Sequence, residues 1–154
     1  MDYKKIASMI VRIFYKNIPS NPELLFGYYG DKIGVVHNGH RVFLIEANLF
    51  PFDMEKLLGG RTALDIKKLI PDENNYETAT LTNELKKLEA QKKTIVKIEN
   101  ANGSAWVNED YLKEYGKGVQ FKICKKNPRK TPVIIYELDE IVGIVLPVNV
   151  SEEV

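Results

Sequence analysis

Both histidines of the chain lie in the stretch VVHNGHRVFLIEA, Val35 to Ala47, at the His-x-x-His spacing that a zinc-ligand pair or an acid–base pair can use. With one or two further ligands converging, His37 and His40 would make a small metal-dependent enzyme, and the nearest acids are Asp31, Glu46 and Asp53. The spacing straddles Asn38-Gly39, however, and Asn-Gly is the strongest short-range hairpin signal because both central residues of a type I′ turn take positive φ. Both rings can still project to one face of such a turn. The remainder of a site is not there: no third histidine exists, and the one cysteine, Cys124, lies far off in the alternating run VQFKICKK, where it reads as an inert strand thiol.

Other chemistry is equally sparse. No G-x-S-x-G elbow, P-loop or Rossmann glycine pattern occurs, and Gly59-Gly60-Arg61 lacks the strand before and the helix after that a phosphate cradle needs. Trp106, beside a second Asn-Gly turn, reads as core rather than as a base-stacking platform. The expectation is a protein that is no enzyme, with no catalytic residue, no metal and no cofactor.

The elements that must position these residues follow from hydrophobic spacing. Ile6, Met9, Ile10, Ile13 and Phe14 predict an amphipathic helix over residues 2 to 16, with Lys4, Lys5, Ser8, Arg12 and Tyr15 on its other faces. The prolines of NIPSNPE stop it. Runs at 24–29, 32–36 and 41–47 predict a three-stranded meander turning at Gly30-Asp31 and Asn38-Gly39. A short helix is expected around DMEKLLGG, and DENNYETAT reads as loop. TLTNELKKLEAQKK, with Leu81, Leu85 and Leu88 on one face, predicts a helix from about 81 to 91. Thereafter come a strand TIVKIEN, a turn ANG, a strand SAWVN, a short helix capped by Asn108 and ended by Gly116, and three strands at 118–126, 131–138 and 140–148. Helix-then-three-strands thus occurs twice, at 2–47 and at 108–148.

Composition sets broad limits. With 154 residues, 44% hydrophobic and 28% charged, the chain is expected to form one domain, 1–154, with a first half about 2–47, a variable middle about 48–92 and a second half about 93–150. The 22 basic residues nearly cancel the 21 acidic ones, a net charge of +1. Nothing global advertises a polyanion partner, yet a basic stripe on one face remains compatible with that total. The N-terminus lacks the continuous apolar region and cleavage site of a signal peptide, and no apolar run approaches a membrane span, so a cytoplasmic protein without a membrane partner is expected.

The order of these motifs resembles the bacterial sliding clamps, the beta subunit of DNA polymerase III. Asn108-Glu-Asp-Tyr111-Leu112 is similar to the clamps' N-x-x-Y-L helix, Thr131-Pro132-Val133 to a strand opening S-P-V, and Leu146-Pro147-Val148-Asn149-Val150 to an M-P-M-R-L tail. HNGHRVFLI looks like the T-D-G-H-R-L hairpin, and IKKLIPDE (66–73) like the Y-P-D-Y-R-K-V-I-P linker. The resemblance covers about two-thirds of the chain and leaves most of 48–92 aside. It departs from the clamps at His37-Asn38, which stand for Thr-Asp, and at Asn149, which stands for arginine.

What the resemblance implies is an α+β, DNA-clamp-like domain of two helix-plus-three-strand halves, with antiparallel sheet on one face and helices on the other. It implies a processivity factor of the short, phage-like kind, which tethers replication or repair proteins to double-stranded DNA without sequence preference. DNA-facing candidates are Lys4, Lys5, Arg12 and Lys16 on the first helix, and Lys86 and Lys87, with Lys92 and Lys93, around the middle helix. A partner's clamp-binding peptide would enter a pocket walled by Gly39, His40, Arg41 and Val42 and by Leu146, Pro147 and Val148. A clamp ring needs six such domains, so a single-domain chain would act as a homo-oligomer. The alternative is a stand-alone protein-interaction module that keeps the fold and never encircles DNA.

Overall fold

The computed structural model describes residues 1–17 and 25–150. It is a mixed α+β structure of helices and antiparallel strands that divides into two compact units, Asp2–Ile70 and Pro71–Val154. The boundary falls inside the expected variable middle and assigns its two ends to different units. Among the described residues no helix is long and apolar enough to cross a membrane. Pro19, Pro22 and Leu24, expected to end the first helix and open the first strand, lie outside the described residues.

In the first unit, α1 spans Tyr3–Asn17 and buries Ile6, Met9, Ile10 and Ile13, the i, i+3, i+4, i+7 face that its sequence specifies. The strands β1 (Phe26–Tyr29), β2 (Lys32–His37) and β3 (Arg41–Glu46) form the expected antiparallel meander. Helix and meander are joined by a chain of rings: Phe14 against Phe52 at 4.6 Å, Phe52 against Phe50 at 5.9 Å, Phe50 against Phe26 at 5.4 Å. The short helix α2 (Met54–Leu58) is capped by Asp53, whose carboxylate accepts from the N–H groups of Glu55 and Lys56, and it ends at Gly59 with φ +56°.

The weak run after α2 has a specific task. Gly27 and Gly34 are paired in the β1–β2 register, and their missing side chains leave a slot for Ile66, which is fully buried on a 3₁₀ turn, Ile66–Lys68. A Cβ on Gly34 would lie 2.7 Å from Ile66 Cδ1, and one on Gly27 2.0 Å from the Leu64 carbonyl oxygen. The Leu64 N–H donates to the Phe26 carbonyl at 3.2 Å and anchors the segment along β1.

The second unit corrects three expectations: DENNYETAT is not all loop, since Glu73–Asn75 forms a 3₁₀ turn and a strand begins at Tyr76, and neither of the two segments expected as helices is α-helical. Residues 81–91 are not a helix: β4 runs from Tyr76 to Leu88, followed by a 3₁₀ turn at Glu89–Gln91. It pairs with β7 (Gln120–Cys124) over Tyr76–Ala79 and then with β5 (Lys93–Asn100) over Thr80–Leu88, with a bulge between Leu81 and Leu85. The Thr82 hydroxyl holds that bulge, donating to the Lys97 carbonyl at 2.8 Å and accepting from the Glu84 N–H at 3.1 Å. Leu81 and Leu85 are four apart, a spacing that also shares one face of a strand, so pairing with the apolar β5 overrides the helix formers between them.

The rest of the unit follows the expected order. A turn held by Asn100 Oδ1, which accepts from the N–H groups of Asn102 and Gly103, leads into β6 (Gly103–Asn108). Asn108 caps the next segment as expected, but Glu109–Tyr115 is 3₁₀ rather than α-helical; it buries Tyr115 and ends at Gly116, φ +78°. The strands β7, β8 (Val133–Glu137) and β9 (Glu140–Val145) form a second antiparallel meander. Two residues with positive φ, Leu138 at 51° and Asp139 at 63°, turn β8 into β9.

Candidate functional site

The β2–β3 hairpin forms around Asn38-Gly39 as its sequence requires. Both residues have positive φ, 55° and 69°, and the His40 N–H donates to the His37 carbonyl at 3.1 Å to close the turn. His37 pairs directly with Arg41, so His40 is the extra residue of the loop, exposed at its tip. The two histidines therefore play different parts. Arg41 Nε donates to His37 Nδ1 at 2.9 Å, so this ring nitrogen is the acceptor for the guanidinium. Among the described residues no group of three or more His, Cys, Asp or Glu side chains is arranged to hold a metal ion.

Arg41 is the one buried charged residue among the described core, at 4% exposure. Its guanidinium donates to Met9 Sδ of α1 at 3.3 Å and stands 4.8 Å from the centre of the Phe43 ring. Planar, weakly hydrated guanidinium suits such a place on an aromatic face, where an ammonium does not. Arg41 therefore ties the hairpin to α1 from inside. Of the expected pocket residues in this unit, Gly39 and His40 are exposed, and Val42 is buried beside Arg41 on β3.

The tail residues Leu146, Pro147 and Val148 lie in the second unit, half-buried. The Val148 N–H donates to the Trp106 carbonyl at 2.7 Å, so the tail is fastened along β6, and half-buried Trp106 sits in a strand as expected.

Of the basic candidates, those on α1 form the most coherent group. Lys4, Lys5, Arg12 and Lys16 are all exposed, and no acidic residue lies within Tyr3–Asn17. Lys5, Arg12 and Lys16 recur at i, i+7 and i+11, which places them on one stripe beside the buried face. Lys5 Nζ lies 3.7 Å from the half-buried Asp2. Lys86 and Lys87 are on β4, opposite Ile95 and Thr94, where successive side chains point to opposite faces; they make no common stripe, and no middle helix exists for them to surround.

One cluster escaped the sequence reading. Lys125, Lys126, Arg129 and Lys130, all exposed, fall in the loop between β7 and β8, and the run KKNPRK between two apolar strands is their signal in the sequence. At the base of this loop Cys124 is half-buried. Burial pushes its thiol up, but the N–H groups of Asn127 and Lys126, the Thr131 hydroxyl and the Lys126 charge outweigh it and hold the thiol below its ordinary value. No family model matches this chain, and neither does any curated protein or solved structure.

Proposed function

We propose that this chain is a clamp-like accessory of DNA replication that holds double-stranded DNA without sequence preference and docks a replication or repair protein. The observation that carries this reading is α1: a helix with four exposed cations and no acid along its whole length, its apolar face buried in the first unit. Such a face attracts phosphates through released counterions and reads no bases. Support also comes from the repeated order of a helical segment followed by a three-stranded antiparallel meander, α1 with β1–β3 and the 3₁₀ segment with β7–β9. The peptide-docking part of the reading rests on Gly39 and His40, exposed at the β2–β3 turn.

The test is duplex DNA binding measured against salt, for the native chain and for Lys5→Gln/Arg12→Gln/Lys16→Gln. Each phosphate contact contributes about 0.9 to the slope of log affinity against log salt, so the triple variant is expected to lower that slope by about 3. A native chain that fails to bind duplex at about 50 mM salt, or a variant with an unchanged slope, overturns the DNA reading. A second reading, a protein-interaction module that never holds DNA, draws on Leu138, which stands 89% exposed at the tip of the β8–β9 hairpin. A monomer at all concentrations with no DNA retention would favour it.

A further inference from the structure

We propose that the β7–β8 loop, Lys125 to Lys130, is a second docking point for nucleic-acid phosphates, distinct from the α1 face. The inference takes its partner class, a nucleic acid, from the reading above, but it concerns other residues in the other unit.

Charge density is the first ground. Four of six successive residues are exposed cations and none is acidic. The second is that the loop is held in shape before any ligand arrives. The Lys125 N–H donates to the Asn75 carbonyl at 2.8 Å. The Asn127 carbonyl accepts from the N–H groups of Lys130 and Thr131, each at 3.2 Å, and from the Thr131 hydroxyl at 2.7 Å. Pro128 packs on the β5–β6 turn so closely that a Cβ on Gly103 would lie 2.9 Å from its Cγ. These contacts hold the loop at both ends and at Pro128, so binding has less backbone to order.

The third ground chooses among polyanions. An anionic membrane or an acidic protein surface is ordinarily gripped by apolar or aromatic anchors among the cations. The exposed large hydrophobic residues of the described chain are Tyr3, Tyr15, Tyr28, Leu49, Leu69, Leu81, Leu85 and Leu138, and none belongs to this loop or to the turn at Asn100–Gly103 beneath it. Phosphate contacts need no such anchor.

The experiment uses the full chain and Lys125→Gln/Lys126→Gln/Arg129→Gln/Lys130→Gln, with duplex DNA as probe. All four residues are exposed, so the unfolding midpoint of the variant should match the native one. If all four cations meet phosphates, the affinity lost by the native chain between about 50 and 200 mM salt shrinks roughly a hundredfold in the variant. The single cysteine supplies a second readout: duplex should slow iodoacetamide alkylation of Cys124 in the native chain and not in the variant. A variant that binds duplex like the native chain overturns the loop proposal, and if the α1 triple variant is impaired at the same time the wider reading survives it. An impaired loop variant beside an unimpaired α1 variant supports the loop and overturns the α1 assignment. Native chain that binds anionic vesicles and not duplex overturns both.

Discussion

Arg41 and His37 face each other across the β2–β3 turn, with Arg41 Nε donating to His37 Nδ1 at 2.9 Å. By spacing alone, His37 and His40, three residues apart, would make half of a ligand set. In the fold, His37 serves the buried guanidinium, and that guanidinium in turn meets α1 through Met9. Replacing His37 by Leu removes the acceptor while Arg41 stays buried, and the cost should be about 1–3 kcal/mol in urea unfolding. His40→Ala, at the exposed tip, should stay within about 0.5 kcal/mol of the native chain. A double-mutant cycle with Arg41→Met checks the assignment: coupling between positions 37 and 41 of less than about 0.3 kcal/mol would mean the hydrogen bond contributes nothing.

Ile66 and Gly34 offer a packing test. Gly34→Ala places a methyl where three carbons of Ile66 already lie, 2.7 to 2.8 Å away, and the overpacking should cost about 1–3 kcal/mol. Ile66→Ala alone should cost about 2–5 kcal/mol, since the side chain is fully buried. Together the two changes should cost clearly less than their sum, because the shortened residue 66 makes room for the new methyl. Strict additivity in chemical denaturation would show that Ile66 does not occupy the glycine slot in solution.

Legibility from sequence tracked how local the cause was. α1, the β2–β3 turn and the Asn108 cap each depend on residues within a few positions, and their patterns were readable. The slot for Ile66 depends on two glycines some thirty and forty residues upstream that become neighbours only in the β1–β2 register, so the run around it looked weak. β4 failed for a related reason. Its leucine spacing and its Glu and Lys residues favour helix locally, while the decision was made by β5, an apolar strand that follows it. Thr78, Thr80 and Thr82, alternating and β-branched, were the strand signal in the sequence itself. Arg41 could not have been told from a surface arginine by its neighbours alone, since its burial is set partly by Met9 on a distant helix.

Tyr76 predicts an alkaline weakness in the second unit. Its hydroxyl donates to the Pro132 carbonyl at 2.6 Å, and burial, with the neighbouring Cys124 thiolate, raises it to about 12. A raised value means the folded state holds the phenolic proton more tightly than the unfolded chain does. The stabilisation is therefore fully present below pH 10 and is lost as pH climbs from 10 towards 12, on the order of 2 kcal/mol in all. Tyr76→Phe should lower stability by about 1 kcal/mol near neutral pH and flatten the decline across that alkaline window. If the variant and the native chain lose stability in parallel above pH 10, Tyr76 is not the group responsible.

Leu138 is held where leucine is disfavoured. Its φ of 51° is left-handed, its side chain is 89% exposed, and with Asp139 at 63° it forms the two-residue turn between β8 and β9. Left-handed backbone costs a residue with a Cβ roughly 1 kcal/mol relative to glycine, and asparagine tolerates it better than leucine does. Exposed as it is, the leucine side chain recovers little of this through burial in the fold. Leu138→Asn with Asp139→Gly installs the favoured type I′ pair and should raise stability by about 0.5–1 kcal/mol. An unchanged or lowered unfolding midpoint would show that Leu138 contributes contacts that outweigh the backbone strain. A raised midpoint accompanied by loss of binding to a replication protein would place the leucine at the docking surface, where its strain is retained for the partner.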